Sequence, residues 1–272
     1  ANNISFSQDF DANNTSSFMD AIAKINAAPE ASHKIFITGD ISLETPISEA
    51  VNLELIGDTT SSEHYNFVLN GNTFTYRENK ISKISDLNIV SNTSGSGFIV
   101  NQQDLTIDNA NFTSSAASNT QSSLNNIGGN LHISESNFTG NKKGMDGGAI
   151  SNQGNLETVS TDFISNQGRN GGALYLSSGT ANIKEADILN NYASTYGGAA
   201  YVNNSTLTIT DSTVKDNSAM VSGGALYIEA NSNVVIDNTD FDHNTVLQQS
   251  GGGAIYNKGN LEIKNGSSFT NN

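Results

Sequence analysis

The sequence predicts an all-β protein: a right-handed parallel β-helix with three short strands per coil of about 25 residues and a capping helix at its N-terminus. Three observations carry this expectation. Gly-Gly-Ala followed by an aliphatic residue or Ala occurs five times, opening at Gly147, Gly171, Gly197, Gly223 and Gly252. Each copy follows a hydrophobic-x-x-Asn tetrad: Phe138/Asn141, Phe163/Asn166, Ile188/Asn191, Val214/Asn217 and Phe241/Asn244, with Phe269/Asn272 a sixth. Seven residues before the apolar position lies a short alternating segment, as in Leu105-Thr-Ile107, Leu131-His-Ile133, Leu156-Glu-Thr-Val159, Leu207-Thr-Ile209 and Val234-Val-Ile236. The Gly-Gly copies recur at intervals of 24 (147 to 171) to 29 (223 to 252) residues. A fixed period in this range marks stacked units that bury their apolar faces only against their neighbours.

The first element is a helix. Phe18, Ala21, Ile22 and Ile25 recur at helical spacing, Ser17 and Asp20 make a capping pair, and Pro29 lies past the end. Such a helix, expected over Thr15 to Ala28, would cover the open core and block strand addition at an exposed edge. Strands follow at Lys34 to Thr38, Leu53 to Ile56, Phe67 to Leu69, Leu87 to Val90 and Phe98 to Val100. We divide the chain into a cap (1–30), irregular N-terminal coils (31–104) and regular repeat coils (105–272). The chain stops in mid-repeat, so it is expected to be a piece of something longer whose leader is gone.

In a regular coil the Leu-x-Ile strand turns a polar corner into the Phe-x-x-Asn strand. A loop then leads to Gly-Gly and the third strand, Ala-Leu-Tyr. The copy at Ile183 is degenerate, and Leu261-Glu-Ile263 fits with one residue inserted. Equivalent strands of successive coils pair, so like residues stack on like at a spacing of about 4.8 Å, with right-handed crossovers. Phe138, Phe163 and Phe241 then belong to an internal apolar ladder. Asn141, Asn166, Asn191, Asn217 and Asn244 form a corner ladder, each amide bonding the coils above and below. The pairs Gly147-Gly148, Gly171-Gly172, Gly197-Gly198, Gly223-Gly224 and Gly252-Gly253 supply positive φ or close backbone approach. These motif residues are expected to be structural.

The 272 residues include no Cys, no Trp, 25 Gly and 2 Pro, with a net charge of −15 and only 14% charged residues. The polar surface is therefore mainly Asn, Ser and Thr, which favour turns over helix interiors. No Lys/Arg cluster exists to release phosphate counterions, which excludes nucleic acid as a partner. No apolar run is long enough for a membrane-spanning helix, so no direct membrane insertion is expected. The absence of Cys excludes a disulfide framework. Ala1 to Asp11 has neither the basic nor the apolar region of a signal peptide.

Tyr175, Tyr201, Tyr227 and Tyr256 stand at one place in successive coils, with Ser151 in the coil before. Aliphatic residues flank them, so the Tyr parity is expected to face outward as a candidate binding ladder. Asp9, Asp11, Asn13, Thr15, Ser17 and Asp20 mimic the oxygen spacing of a calcium loop, but Asn14 replaces the glycine and Asp20 the final Glu. No metal or cofactor is expected. Catalysis has little support. Asp162, Asp187 and Asp240 share a corner position with Asn111, Asn137, Thr213 and Ser268, which reads as a polar corner. His33, His64, His132 and His243 show no recurring carboxylate or Ser partner.

The alternation of Phe138-Thr-Gly-Asn141 with Gly147-Gly-Ala-Ile150, and of Phe241-Asp-His-Asn244 with Gly252-Gly-Ala-Ile255, resembles the passenger domains of the chlamydial polymorphic membrane proteins and related bacterial autotransporters. The resemblance covers roughly 105–272. Ile188 and Val214 depart from Phe, Ala200 departs from the aliphatic position, and the absence of Cys departs from many chlamydial members. The resemblance implies a β-helix passenger exported through an outer-membrane barrel. It further implies display at the surface of a Gram-negative bacterium, or release after cleavage, and adhesion to a host-cell protein or glycan; no enzymatic activity is expected from the residues. Self-association between cells and action on a polysaccharide, as lyase or hydrolase, are the alternative readings.

Overall fold

A computed structural model describes residues 8–60, 63–115, 120–248 and 250–272. It is the all-β parallel solenoid that the repeat predicts, with one helix among the described residues. Every strand pairing is parallel and joins a coil to the next, as in Phe138↔Phe163, Leu207↔Val234 and Tyr201↔Tyr227. Among the described residues the strands carrying the Phe position form a ten-stranded sheet, one strand per coil, which makes about ten coils.

The sheets group differently from the sequence expectation. Leu-x-Ile and Ala-Leu-Tyr strands belong to one seventeen-stranded sheet, and in Leu174–Lys184 they are a single continuous strand. The third sheet comes from the segment read as a loop: Gln167–Asn170, Tyr192–Tyr196, Ser218–Ala219 and Thr245–Val246 pair in sequence. These segments lack apolar alternation, so periodicity does not reveal them; pairing with the coil above and below defines them. Of the loop Thr245 to Ser250, Gln249 lies outside the described residues.

The helix, α1 (Thr15–Asn26), starts at the expected residue, but its cap is not the Ser17/Asp20 pair. Asn14 is the cap: its Oδ1 accepts from the Ser17 amide at 2.9 Å, and the Ser17 hydroxyl accepts from the Asn14 amide at 3.2 Å. Ser17 is therefore the reciprocal partner. A helix this short is marginal alone. It is held by burial of Phe18, Ala21, Ile22 and Ile25 on the first coils, where Phe18 meets Phe67 edge-on at 5.2 Å.

The degenerate copy is regular in space: Ala181 and Ile183 pair with Leu207 and Ile209. In the copy at Leu156, Thr158 rather than Val159 takes the inward place opposite Ile133, and Val159 is exposed. The corner after each Leu-x-Ile strand is made by a residue with positive φ, including Glu135 (50°), Ser160 (48°), Glu185 (54°) and Asp211 (52°).

The corner Asn ladder closes its polar account completely. Asn191 Nδ2 donates to Phe163 O at 2.9 Å and Asn217 Oδ1 at 3.0 Å, while its Oδ1 accepts from the Asn166 amide at 2.9 Å and Asn166 Nδ2 at 3.0 Å. The same four-bond pattern recurs at Asn166, Asn217 and Asn244. A second buried ladder, Asn101–Asn126–Asn152, lies on the inner side of the same sheet in the coils before the Tyr-bearing strands, with amide bonds of 3.0 and 2.8 Å.

Gly-Gly is required twice over. Gly171 has φ +74°, and a Cβ on Gly172 would lie 2.1 Å from Gly198 O in the next coil. The first glycine supplies the left-handed turn and the second permits backbone-on-backbone stacking.

Candidate binding surface

The register places Ser151, Tyr175, Tyr201, Tyr227 and Tyr256 above one another on the outer side of the seventeen-stranded sheet. Leu174 and Leu176 on either side of Tyr175 point into the core. The parity is set by the pleat: alternate residues face opposite sides, and the aliphatic set takes the inside. The rings stack nearly parallel, at 5.5 Å and 7° for Tyr175–Tyr201, 5.4 Å and 12° for Tyr201–Tyr227, and 5.0 Å and 12° for Tyr227–Tyr256.

Outward direction does not make every ring accessible. Tyr227 is only 4% exposed. Tyr196, a residue outside the sequence-read ladder, stacks on it at 4.3 Å, and Lys258 Nζ lies 5.6 Å from its ring centroid. Tyr175, Tyr201 and Tyr256 remain half-buried. The Tyr201 hydroxyl donates to Glu229 Oε1 at 2.8 Å. Burial first, then Glu229, pushes the Tyr201 phenol well above its ordinary range, so it stays protonated as a donor. The ladder thus presents ring edges and hydroxyls, because most ring faces are covered by the next ring.

At its upstream end the ladder borders charged groups. Asp146 accepts from Arg169 Nε at 3.2 Å and Nη2 at 3.3 Å, and from the Asn170 amide at 3.2 Å. Lys143 Nζ donates to the Asp146 carbonyl, and burial pushes that amine down to about 8. Burial raises the Tyr175 phenol, and the Asp146 charge raises it further against the lowering effect of Arg169.

The other motif residues lie inside. Phe138, Phe163 and Phe241 and the five ladder Asn residues are fully buried. A partner meeting the folded chain cannot touch them. Asp162, Asp187 and Asp240 share one outward row with Asn111, Asn137, Thr213 and Ser268. Asp9 and Asp11 sit on the extended strand Gln8–Ala12, and Asn14 is committed to the helix cap.

His132 and His243 find carboxylates individually, with no pairing that recurs from coil to coil. His132 Nε2 is 3.1 Å from Asp104 Oδ1 and its Nδ1 3.1 Å from Glu157 Oε2, and His243 Nδ1 is 2.7 Å from Asp242 Oδ1. The His132 partners come from neighbouring coils, so only register, not local spacing, reveals them. His132 and Glu157 line an open groove of about 420 Å³ with Val159 and Lys184.

A parallel solenoid with an aromatic outer ladder defines a repeat protein whose coils stack on their neighbours. Residues 238–258, which carry Phe241/Asn244 and Gly252-Gly-Ala-Ile255, match the Chlamydia polymorphic membrane protein repeat. No curated protein and no solved structure matches the chain. The chain resembles an autotransporter passenger of polymorphic-membrane-protein type. The repeat and the fold together suggest display at the outer-membrane surface. Among the described residues no helix is long and apolar enough to cross a membrane.

Proposed function

We propose that this chain is part of a surface-displayed autotransporter passenger that acts as an adhesin, holding a host-cell protein or glycan through many weak contacts along one rigid face. The observation that carries this reading is the outer tyrosine ladder. Stacked rings at 5.0 to 5.5 Å give preorganised amphipathic area, the kind of surface enriched in recognition sites. Rigidity lowers the ordering cost of binding, and display of many copies adds avidity.

Self-association by amide ladders has less support. The outward row Asn66–Asn88–Asn111–Asn137 already bonds along itself at 3.1, 3.0 and 2.9 Å, leaving fewer free donors for a second copy. Catalysis has little support too: the outward carboxylates form a row interrupted by Asn, Thr and Ser, and we read the chain as non-enzymatic. The test is attachment of the purified chain to cultured epithelial cells, beside sedimentation of the chain alone. The adhesin reading expects saturable attachment by a monomer. Sedimenting oligomers with no cell attachment would favour self-association instead.

A further inference from the structure

The ladder ends abruptly upstream. Each ring from Tyr201 to Tyr227 is covered on both faces, but the Cα partner of Tyr175 in the preceding coil is Ser151, too small to cover a ring. No ring therefore continues the stack beyond Tyr175 on that side. The loop beside Tyr175 is close: a Cβ on Gly147 would lie 2.9 Å from Tyr175 Cβ. Its neighbour Asp146, paired with Arg169, acts electrostatically on the Tyr175 phenol, and Met145 is 46% exposed. Arg169 spends two of its five N–H donors on Asp146, leaving donors for a ligand.

We propose that the Tyr175 face turned towards Ser151 is a subsite for one pyranose ring, with Asp146 and Arg169 receiving its hydroxyls. This rests on the adhesin reading and names the ligand class. A pyranose has an apolar C–H face, which matches a ring face with no ring stacked on it, and hydroxyls that both donate and accept, which match a carboxylate beside a guanidinium. An aromatic side chain of a partner protein matches only the ring.

The test uses the whole chain and methyl glycosides of glucose, galactose, mannose and N-acetylglucosamine, each followed by saturation-transfer NMR. We expect at least one to bind, with a dissociation constant of about a millimolar. Ser151→Tyr completes the stack, so it should abolish binding while melting no earlier than the parent. Tyr175→Ser should weaken binding about tenfold or more and carries the test if Ser151→Tyr does not fold. No transfer from any glycoside, or parental binding by a folded Ser151→Tyr, overturns the subsite. Cell attachment separates the two readings. Attachment without glycoside binding sinks the subsite and leaves the adhesin, whereas glycoside binding without attachment does the reverse.

Discussion

Asn191→Asp exchanges one buried ladder amide for a group of the same shape. The acceptor side survives, because an oxygen still faces the Asn166 amide and Nδ2 at 2.9 and 3.0 Å. The donor side fails: the second oxygen meets Phe163 O and Asn217 Oδ1 at 2.9 and 3.0 Å, both acceptors. In acid the carboxyl is protonated and restores one of those two bonds, so the cost is one hydrogen bond, about 1 kcal/mol. At pH 7 the site disfavours the charge. The cost of holding the proton against a reference pKa of about 3.9 is about 1.4 kcal/mol per pH unit, or about 4 kcal/mol in total. The folded pKa is raised, so the deficit is small below about pH 4 and grows as pH rises towards the folded pKa. The full deficit at pH 7 is then about 5 kcal/mol, concentrated in the coils around residue 191 because damage in a solenoid is felt mainly by neighbours. Hydrogen exchange of peptides spanning 163–217, at pH 4 and pH 7, reads this directly. Equal protection of mutant and parent at pH 7 would refute the ladder chemistry.

Two other perturbations probe the body of the solenoid. Phe163→Ala should cost about 3–5 kcal/mol in urea unfolding, because Phe163 is fully buried and stacks on Phe138 at 5.2 Å; a parental midpoint would show that the ring is not in the core. Glu49 is buried, and burial raises its carboxyl above 4.5 despite Asn26 and Arg77. Its folded pKa is raised, so stability from the proton is present below the unfolded value and lost as pH rises. Glu49→Gln should therefore raise the melting temperature at pH 7 and change it little at pH 4, and a destabilised variant at pH 7 would contradict this.

Much of the fold is legible in the sequence because parallel self-pairing turns a repeat into a ladder. Phe138, Asn141 and Gly147 recur in register, and register alone sets which strands stack. The third sheet is not legible: Gln167 pairs with Tyr192 and Tyr192 with Ser218, residues with no common chemistry. The same holds for His132, whose carboxylates arrive from other coils. At the candidate site the Tyr parity follows from the flanking aliphatics. The burial of Tyr227 does not, because it depends on Tyr196 crossing from the preceding coil. The inner ladder Asn101–Asn126–Asn152 also escapes pattern reading, since polar residues at inward positions break the alternation that identifies a strand face.

The tyrosine ladder as contact surface is tested most directly by cell attachment of Tyr201→Ser/Tyr256→Ser, measured at a temperature where circular dichroism shows parent and variant both folded. The variant loses four ring contacts, each worth about 0.5–1.5 kcal/mol, and the Tyr201 hydroxyl bond to Glu229, so melting should fall. An interface ring typically contributes 2 kcal/mol or more, roughly a thirtyfold loss of affinity when truncated. The account predicts attachment reduced at least that much in the folded variant. Parental attachment by the folded double variant would contradict it.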